Sequence, residues 1–238
     1  MTRSCGRGVI PMENASVQER AQAPHMLTGA QRFYIGVKRA ADVALSLLGL
    51  VLLSPVLLAI GIAIVLDDGF PVLFTQRRVG RGKRPFHILK FRTMKSDTPH
   101  DKPTHLLEHP EQYITRVGKV LRKTSLDELP QLLNILTGSL HIVSYRPSLY
   151  NQTDLIRERD RCGLHQLRPG LTGWAQIHGR DELEIQEKAA LDRYYLEHLG
   201  PAIDLKCFFG TFLAVFRQSG VVEGGTGAME RRDRKETR

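Results

Sequence analysis

Two adjacent acids, Asp127 and Glu128, are the residues best placed to do chemistry. They lie in SLDELPQLLNIL, residues 125–136, which reads as a helix candidate. Ser125 and Glu128 have the S-x-x-E spacing of a capping box, which alone marks only a helix start. Pro130 agrees with that start if the helix begins close to it. Near a helix start, free N–H groups and the dipole keep carboxylates ionised and attract phosphate. An ionised carboxylate beside a bound phosphate can attack phosphorus, the chemistry of aspartyl phosphates. The anions must first be screened, by Mg²⁺ and by arginines. Arg122 lies five residues before Asp127, and Arg146 comes shortly after the helix. Arg92 in LKFRTM and Arg168 in LRPGLTGW are further candidates, because guanidinium matches phosphate oxygens bidentately. Taken singly, each arginine reads first as solvated or structural. Arg146-Pro147 and Arg168-Pro169-Gly170 place theirs where the backbone is fixed, so they also read as a set.

The elements that position these residues begin with residues 43–66, which are 24 residues without a charge. A straight helix of that length would be roughly 36 Å long, enough to cross a hydrocarbon core of about 30 Å. Ser54-Pro55 sits at its middle, where a proline predicts a sharp bend. Both flanks are basic: Arg32, Lys38 and Arg39 precede it, and Arg77, Arg78, Arg81, Lys83 and Arg84 follow. The positive-inside bias then asks for both ends on the cytoplasmic side. A helix-break-helix hairpin entering and leaving by one face satisfies both facts; a kinked ordinary span is the alternative. PVLFTQ and FHILKF predict two strands joined by the basic loop Arg77–Arg84. Ile114, Val117, Val120 and Leu121 share one face of a basic amphipathic helix. Residues 151–162 and 181–199 read as further helices around a Gly-Pro-rich loop, Arg168–Gly179, and 202–216 is a last apolar stretch. The stretches 111–123 and 202–216 are expected at the membrane interface.

Composition bounds the rest. The chain has 238 residues, 42% hydrophobic and 25% charged, which fits one packed domain with an appendage. Its formal charge of +9 calls for an anionic partner: nucleic acid, an acidic membrane face or a phosphorylated substrate. Cys5, Cys162 and Cys207 form no disulfide framework and no zinc spacing, which points to a reducing compartment. No signal-peptide pattern follows Met1. There is no Walker motif, no strand-borne G-x-G-x-x-G and no G-x-S-x-G. His105 and His109 have a zinc-compatible spacing but read better as a solvated pair. Basic residues are not interleaved with aromatic ones, so a nucleic-acid module is not expected.

Several ordered motifs resemble a known family. They are Lys38-Arg39-x-x-Asp42, the apolar segment broken at Ser54-Pro55, and Phe74-x-Gln76-x-Arg78-Val79-Gly80. Lys90-Phe91-Arg92-Thr93-Met94, the run from Leu121 through Asp127-Glu128 to Gln131, and Arg168-Pro169-Gly170-Leu171-Thr172-Gly173-Trp174 follow. Over roughly residues 36–217 the chain resembles the bacterial sugar transferases of the monotopic phosphoglycosyl transferase kind. The resemblance implies an enzyme that moves a sugar-1-phosphate from a UDP-sugar to undecaprenyl phosphate and releases UMP. Such a step starts an exopolysaccharide, O-antigen or capsule unit. It implies Asp127 as nucleophile and Mg²⁺ ligand, with Glu128 assisting. It also implies substrate or phosphate binding by Arg122, Arg146, Arg92, Lys90 and Arg168. Lys38, Arg39, Ser54 and Pro55 would belong to the membrane hairpin.

Where relatives commonly read G-D-M-S-L-V-G-P-R-P, this chain reads Gly138-Ser139-Leu140-His141-Ile142-Val143-Ser144-Tyr145-Arg146-Pro147. The expectation is therefore an α+β chain: one mostly helical catalytic domain with a small β-hairpin, anchored by a re-entrant, Ser-Pro broken N-terminal membrane helix. Its parts would be a disordered polar lead over 1–30, the membrane helix over 31–66, the catalytic domain over 67–220 and a disordered tail over 221–238. It would sit in the bacterial inner membrane with its catalytic domain on the cytoplasmic face. Its partners would be the UDP-sugar, undecaprenyl phosphate and the bilayer, without nucleic acid; a homodimer stays open. A non-catalytic, membrane-anchored scaffold protein is the alternative.

Overall fold

The computed structural model describes residues 24–95, 98, 110–179 and 183–216. The His105/His109 pair, residues 1–23 of the lead and the tail from 217 lie outside the described residues. The first element is a 40-residue helix, α1, Gly29–Asp68. Thr28 and Gln31 start it with a reciprocal capping box: the Thr28 hydroxyl accepts from the Gln31 N–H at 3.2 Å, and the Gln31 side chain accepts from the Thr28 N–H at 3.0 Å. Just before it, His25 bonds through its backbone to Cys162 and Gln166, so the folded body takes in the end of the 1–30 lead.

The helix continues through Ser54 and Pro55, so the pair does not divide it into two helices as expected. Ser54 Oγ donates to the Val51 carbonyl at 2.7 Å, a local bond that helps the helix through the proline. Both ends of α1 dock on the body, and its middle does not: Val51, Leu52 and Leu58 are each more than 60% exposed. At its N-terminal end, buried Lys38 pairs with Asp204, which also accepts from Tyr34 at 2.7 Å and from Tyr195 at 2.7 Å. At its C-terminal end, Ile60 and Ile64 pack with Phe91 and Leu121.

Two strands follow, β1, Leu73–Val79, and β2, Pro85–Phe91, antiparallel in register from Leu73↔Phe91 to Val79↔Pro85. The ladder takes in Arg77 and Arg78, which the sequence had assigned to the loop. The order is then α2, Arg116–Thr124; α3, Gln131–Thr137; β3, His141–Val143; and α4, Thr153–Arg161. Strand β4, Gly170–Thr172, and a short helix α5, Trp174–Ile177, lie inside the expected loop 168–179. Helices α6, Ile185–Glu197, and α7, Pro201–Phe216, complete the chain as described.

Strands β3 and β4 are parallel, with His141 opposite Gly170 and Val143 opposite Thr172. Their closeness explains Gly173, where a Cβ would come within 1.7 Å of the Ser144 carbonyl oxygen. The largest core lies beside this pair, where Tyr145, Leu164, Tyr195, Leu196 and Cys207 are buried together. Arg159 and Asp192 form a buried ion pair at 2.6 Å between α4 and α6. The architecture is mostly helical, with two small two-stranded sheets and one long apolar helix.

Candidate active site

The acids stand on a turn between two helices. Helix α2 ends at Ser125, a non-glycine residue in the left-handed region with φ 58° and ψ 18°. A single 3₁₀ turn, Leu126–Glu128, follows, and Pro130 then opens α3. The Ser125 side chain makes no capping bond, so the expected capping box and continuous 125–136 helix are corrected. The proline is the physical reason: it lacks the N–H that a helix running through it would use. Lys90 arrives from the last turn of the β2 ladder, one residue before the strand ends at Phe91. Arg146 follows buried Tyr145, whose ring lies under Arg159 at 5.0 Å.

Five predicted residues meet here. Lys90 Nζ donates to Glu128 Oε1 at 2.8 Å and stands 3.5 Å from Asp127 Oδ2. Arg146 Nη1 donates to Glu128 Oε2 at 3.2 Å, and its Nη2 donates to Oε1. Arg146 Nη1 also donates to the Leu171 carbonyl at 3.3 Å, which fixes the guanidinium against β4. Arg122 joins from α2: its Nε donates to Thr93 Oγ1 at 2.9 Å, and its charge acts on Asp127. Gly118 allows that approach, since a Cβ there would lie 2.1 Å from the Thr93 carbonyl oxygen.

This arrangement makes the two acids unlike. Burial raises the Glu128 carboxyl, but Arg146 and Lys90 outweigh it and hold the group well below the usual carboxylate range. Burial also raises Asp127, and Lys90, Arg146 and Arg122 do not cancel it, because the Glu128 charge pushes the same way. Glu128 is thus a fixed anion, and Asp127 is the group that titrates. Among the described residues no three metal-ligating side chains cluster. With the Glu128 oxygens held by Lys90 and Arg146, Asp127 is the acid of the pair left for a cation. A lone carboxylate suits Mg²⁺, which keeps several waters and is completed by substrate phosphates.

The other predicted residues stand elsewhere. Arg92 closes the C-terminus of α1, donating to the Asp68 and Gly69 carbonyls at 2.9 and 2.6 Å. Arg168 lies half-buried with Arg39 and Arg81; burial and those two cations push its pKa down. Lys38 and Arg39 fasten α1, Lys38 to Asp204 and Arg39 to the Ile135 and Leu136 carbonyls at the end of α3. Ser54 and Pro55 occupy the exposed middle of α1.

Sequence reasoning missed Thr93, which orients Arg122, although it sits in the quoted Lys90–Met94 motif. It also missed Asp204 and the pairing of His141 with Asp42, for which no local pattern exists. Gln131, four residues after Asp127, has a buried amide that no described residue pairs. The altered stretch 139–145 does not displace Arg146: Tyr145 is absorbed into the core, and its backbone carbonyl accepts from Gly170 at 2.8 Å.

The sequence profile of the bacterial sugar transferases matches residues 33–218. The chain is 39% identical over 198 residues to the UDP-glucose:undecaprenyl-phosphate glucose-1-phosphate transferase of Escherichia coli K12, covering 80% of this chain and 41% of that one. It is 34% identical over 195 residues to the UDP-N-acetylgalactosamine-undecaprenyl-phosphate N-acetylgalactosaminephosphotransferase of Aeromonas hydrophila, covering 79% and 45%. It is 36% identical over 208 residues to the exopolysaccharide production protein ExoY of Sinorhizobium fredii, covering 81% and 92%. The chain therefore spans less than half of the first two relatives and nearly all of the third. It belongs to the bacterial sugar transferase family.

Proposed function

We propose that this sugar transferase moves a sugar-1-phosphate from a UDP-sugar to undecaprenyl phosphate, and so begins an exopolysaccharide or related repeat unit. The observation that carries the reading is the division of labour between Asp127 and Glu128: two cations hold Glu128, and Asp127 is left able to titrate and attack.

In the first step an Asp127 carboxylate oxygen attacks the β-phosphorus of the UDP-sugar. The bond from that phosphorus to the bridging oxygen breaks, and UMP leaves with the oxygen. In the second step an oxygen of undecaprenyl phosphate attacks the same phosphorus, giving the lipid diphosphate sugar and restoring the Asp127 carboxylate. Arg122 and Lys90 offset the charge gathering at phosphorus, and Arg146 keeps Glu128 in place. Mg²⁺, held through Asp127, would supply further neutralisation of the diphosphate.

The membrane part of the reading is a re-entrant α1 with both ends on the cytoplasmic face of the inner membrane. It is supported by the docking of both ends on one body and by the exposed apolar middle. Leu205, Phe209, Phe212 and Leu213 on α7 are exposed too and would meet the same leaflet. The altered 139–145 stretch, the one sequence feature that favours a non-catalytic scaffold, leaves Arg146 gripping Glu128, which supports the catalytic reading instead.

The test is nucleotide release. Solubilised protein is mixed with Mg²⁺, undecaprenyl phosphate and a panel of UDP-sugars, beside Asp127→Asn. UMP release that needs the lipid phosphate for turnover and vanishes in the variant is expected. Release of UDP instead would mean ordinary glycosyl transfer and would overturn the mechanism.

A further inference from the structure

Arg146 holds Glu128 from residues 145–148, a segment with no helix or strand of its own. A fork can aim two bonds only if its root is held, and each neighbour of Arg146 is bound by a different strand. On one side the Tyr145 carbonyl accepts from the Gly170 N–H at 2.8 Å, at the start of β4. On the other side the Pro147 carbonyl accepts from Arg78 Nη1 at 3.1 Å, on β1. Proline has no N–H, so that carbonyl is the one backbone group by which Pro147 can be bound. Gln76 steadies the guanidinium in turn, its Oε1 accepting from Arg78 Nη2 at 2.6 Å. The Val79 N–H donates to the Ser148 carbonyl at 3.1 Å, and Arg78 forms an antiparallel bridge with Leu149. The chain just after Arg146 is thus laid along β1.

Residues 74, 76 and 78 alternate onto one face of the hairpin. Lys90 stands opposite Phe74 in the ladder and so shares that face. The two cations that hold Glu128 therefore have a common frame: Lys90 is part of it, and Arg146 is tied to it through Arg78. We infer that Arg78 and Gln76 are positioning residues, which set the place from which Arg146 holds Glu128. The inference rests on the division of roles between Asp127 and Glu128 proposed above. It gives Arg78 a task beyond adding charge to the basic flank of α1. The two residues act through Arg146, and a misplacement of about 1 Å in such a group can cost about 10²-fold in rate.

The test is a double-variant cycle on UMP release, with the full chain in detergent. Arg78→Met is expected to lower kcat about tenfold or more with the KM for the UDP-sugar unchanged. Arg146→Lys alone should cost about 10²-fold, and the two together no more than that, because both loosen one grip. Arg78→Lys can still reach the Pro147 carbonyl and should lose less than Arg78→Met. Arg77→Met removes the same charge from the exposed next-door residue on the other face of the hairpin, and it should stay within about twofold of wild type. Should Arg78→Met not fold, Gln76→Leu takes its place in the cycle. Losses that multiply in the double variant, a raised KM with kcat unchanged, or an equal loss in Arg77→Met would overturn the inference. Hydrogen–deuterium exchange reads the same frame without turnover. Exchange at the Gly170 amide, which Tyr145 holds, should quicken in Arg78→Met and not in Arg77→Met, and no change in either would also overturn the inference. The two readings therefore fail separately. UMP release with multiplying losses removes the positioning role alone, and quickened exchange without UMP release from wild type removes the proposed reaction alone.

Discussion

Arg146 donates to both carboxylate oxygens of Glu128, whereas Asp127, the next residue back, has Lys90 at 3.5 Å as its one ion-pair partner among the described residues. Neighbours in sequence are thus made opposites in chemistry. Enzymes that use two carboxylates in different roles commonly separate their pKa values in this way. Here burial and the Glu128 charge push Asp127 up, while one bidentate guanidinium and one lysine hold Glu128 down.

Arg146→Lys removes the fork and leaves a point charge, which cannot hold both oxygens. Glu128 then turns freely and takes Lys90 with it. UMP release is expected to fall by about 10²-fold or more, the usual cost of one preorganised electrostatic group. Activity within twofold of wild type would show that the clamp is dispensable.

The raised Asp127 pKa sets a pH dependence. Asp127 must be ionised to attack, so turnover rises with pH through that pKa, above the ordinary aspartate value of about 3.9. Lys90 is the cation that pulls it down most. Lys90→Met should therefore move the acid limb of the kcat profile to higher pH, and a limb that stays put would separate Lys90 from the titration.

Stability should show the same sign. A pKa raised in the folded state means that ionising Asp127 works against folding. Asp127→Asn is expected to raise the Tm near neutral pH. The gain should shrink as pH falls from the raised pKa toward the ordinary carboxylate value, which thermal unfolding across pH would reveal.

Ser125 holds a left-handed backbone, which costs an L-residue about 1–2 kcal/mol. Ser125→Gly should keep stability within about 1 kcal/mol of wild type, since glycine gains conformationally what it loses in chain entropy. Ser125→Val should lose about 1–2 kcal/mol. Equal losses in thermal unfolding would point to the side chain and not to the backbone.

Lys38 and Asp204 are paired and buried, so removing one partner strands a charge. Lys38→Met should cost about 3–5 kcal/mol. Adding Asp204→Asn should recover part of that loss, and a double-variant cycle in detergent measures how much.

Cysteines placed at Arg32 and Leu66, in a Cys5→Ser background, report sidedness, because both flanks are exposed and Cys162 and Cys207 are buried. An impermeant maleimide should reach both from the cytoplasmic side alone. Labelling from opposite sides would replace the re-entrant helix by a span.

Local patterns in the sequence revealed the acid pair, the β-hairpin and the amphipathic α2, because each is set by residues close together in the chain. The capping-box reading failed for an equally local reason that was visible: Pro130 three residues after Asp127 cannot donate to a continuing helix. Strands β3 and β4 were hidden because three-residue strands carry too little alternation to read. Arg92 and Lys90 look alike in LKFRTM, yet Lys90 turns to the acids and Arg92 to the end of α1. The strand ends between them at Phe91, and no spacing in the sequence announces that. Lys38 and Asp204 are 166 residues apart, and only the assembled core brings them together.

Because α1 is fastened to the body near Lys38 and again at Asp68, the number of residues between those points is fixed by the rest of the molecule. One added residue would turn the following helix by about 100° and advance it about 1.5 Å. A helix with a loose end absorbs such a change, but this one would carry it into the docking of Ile60 and Ile64 and on to Asp68. Adaptation to a thicker or thinner bilayer is therefore open through the bulk of the outward side chains and closed through insertion or deletion.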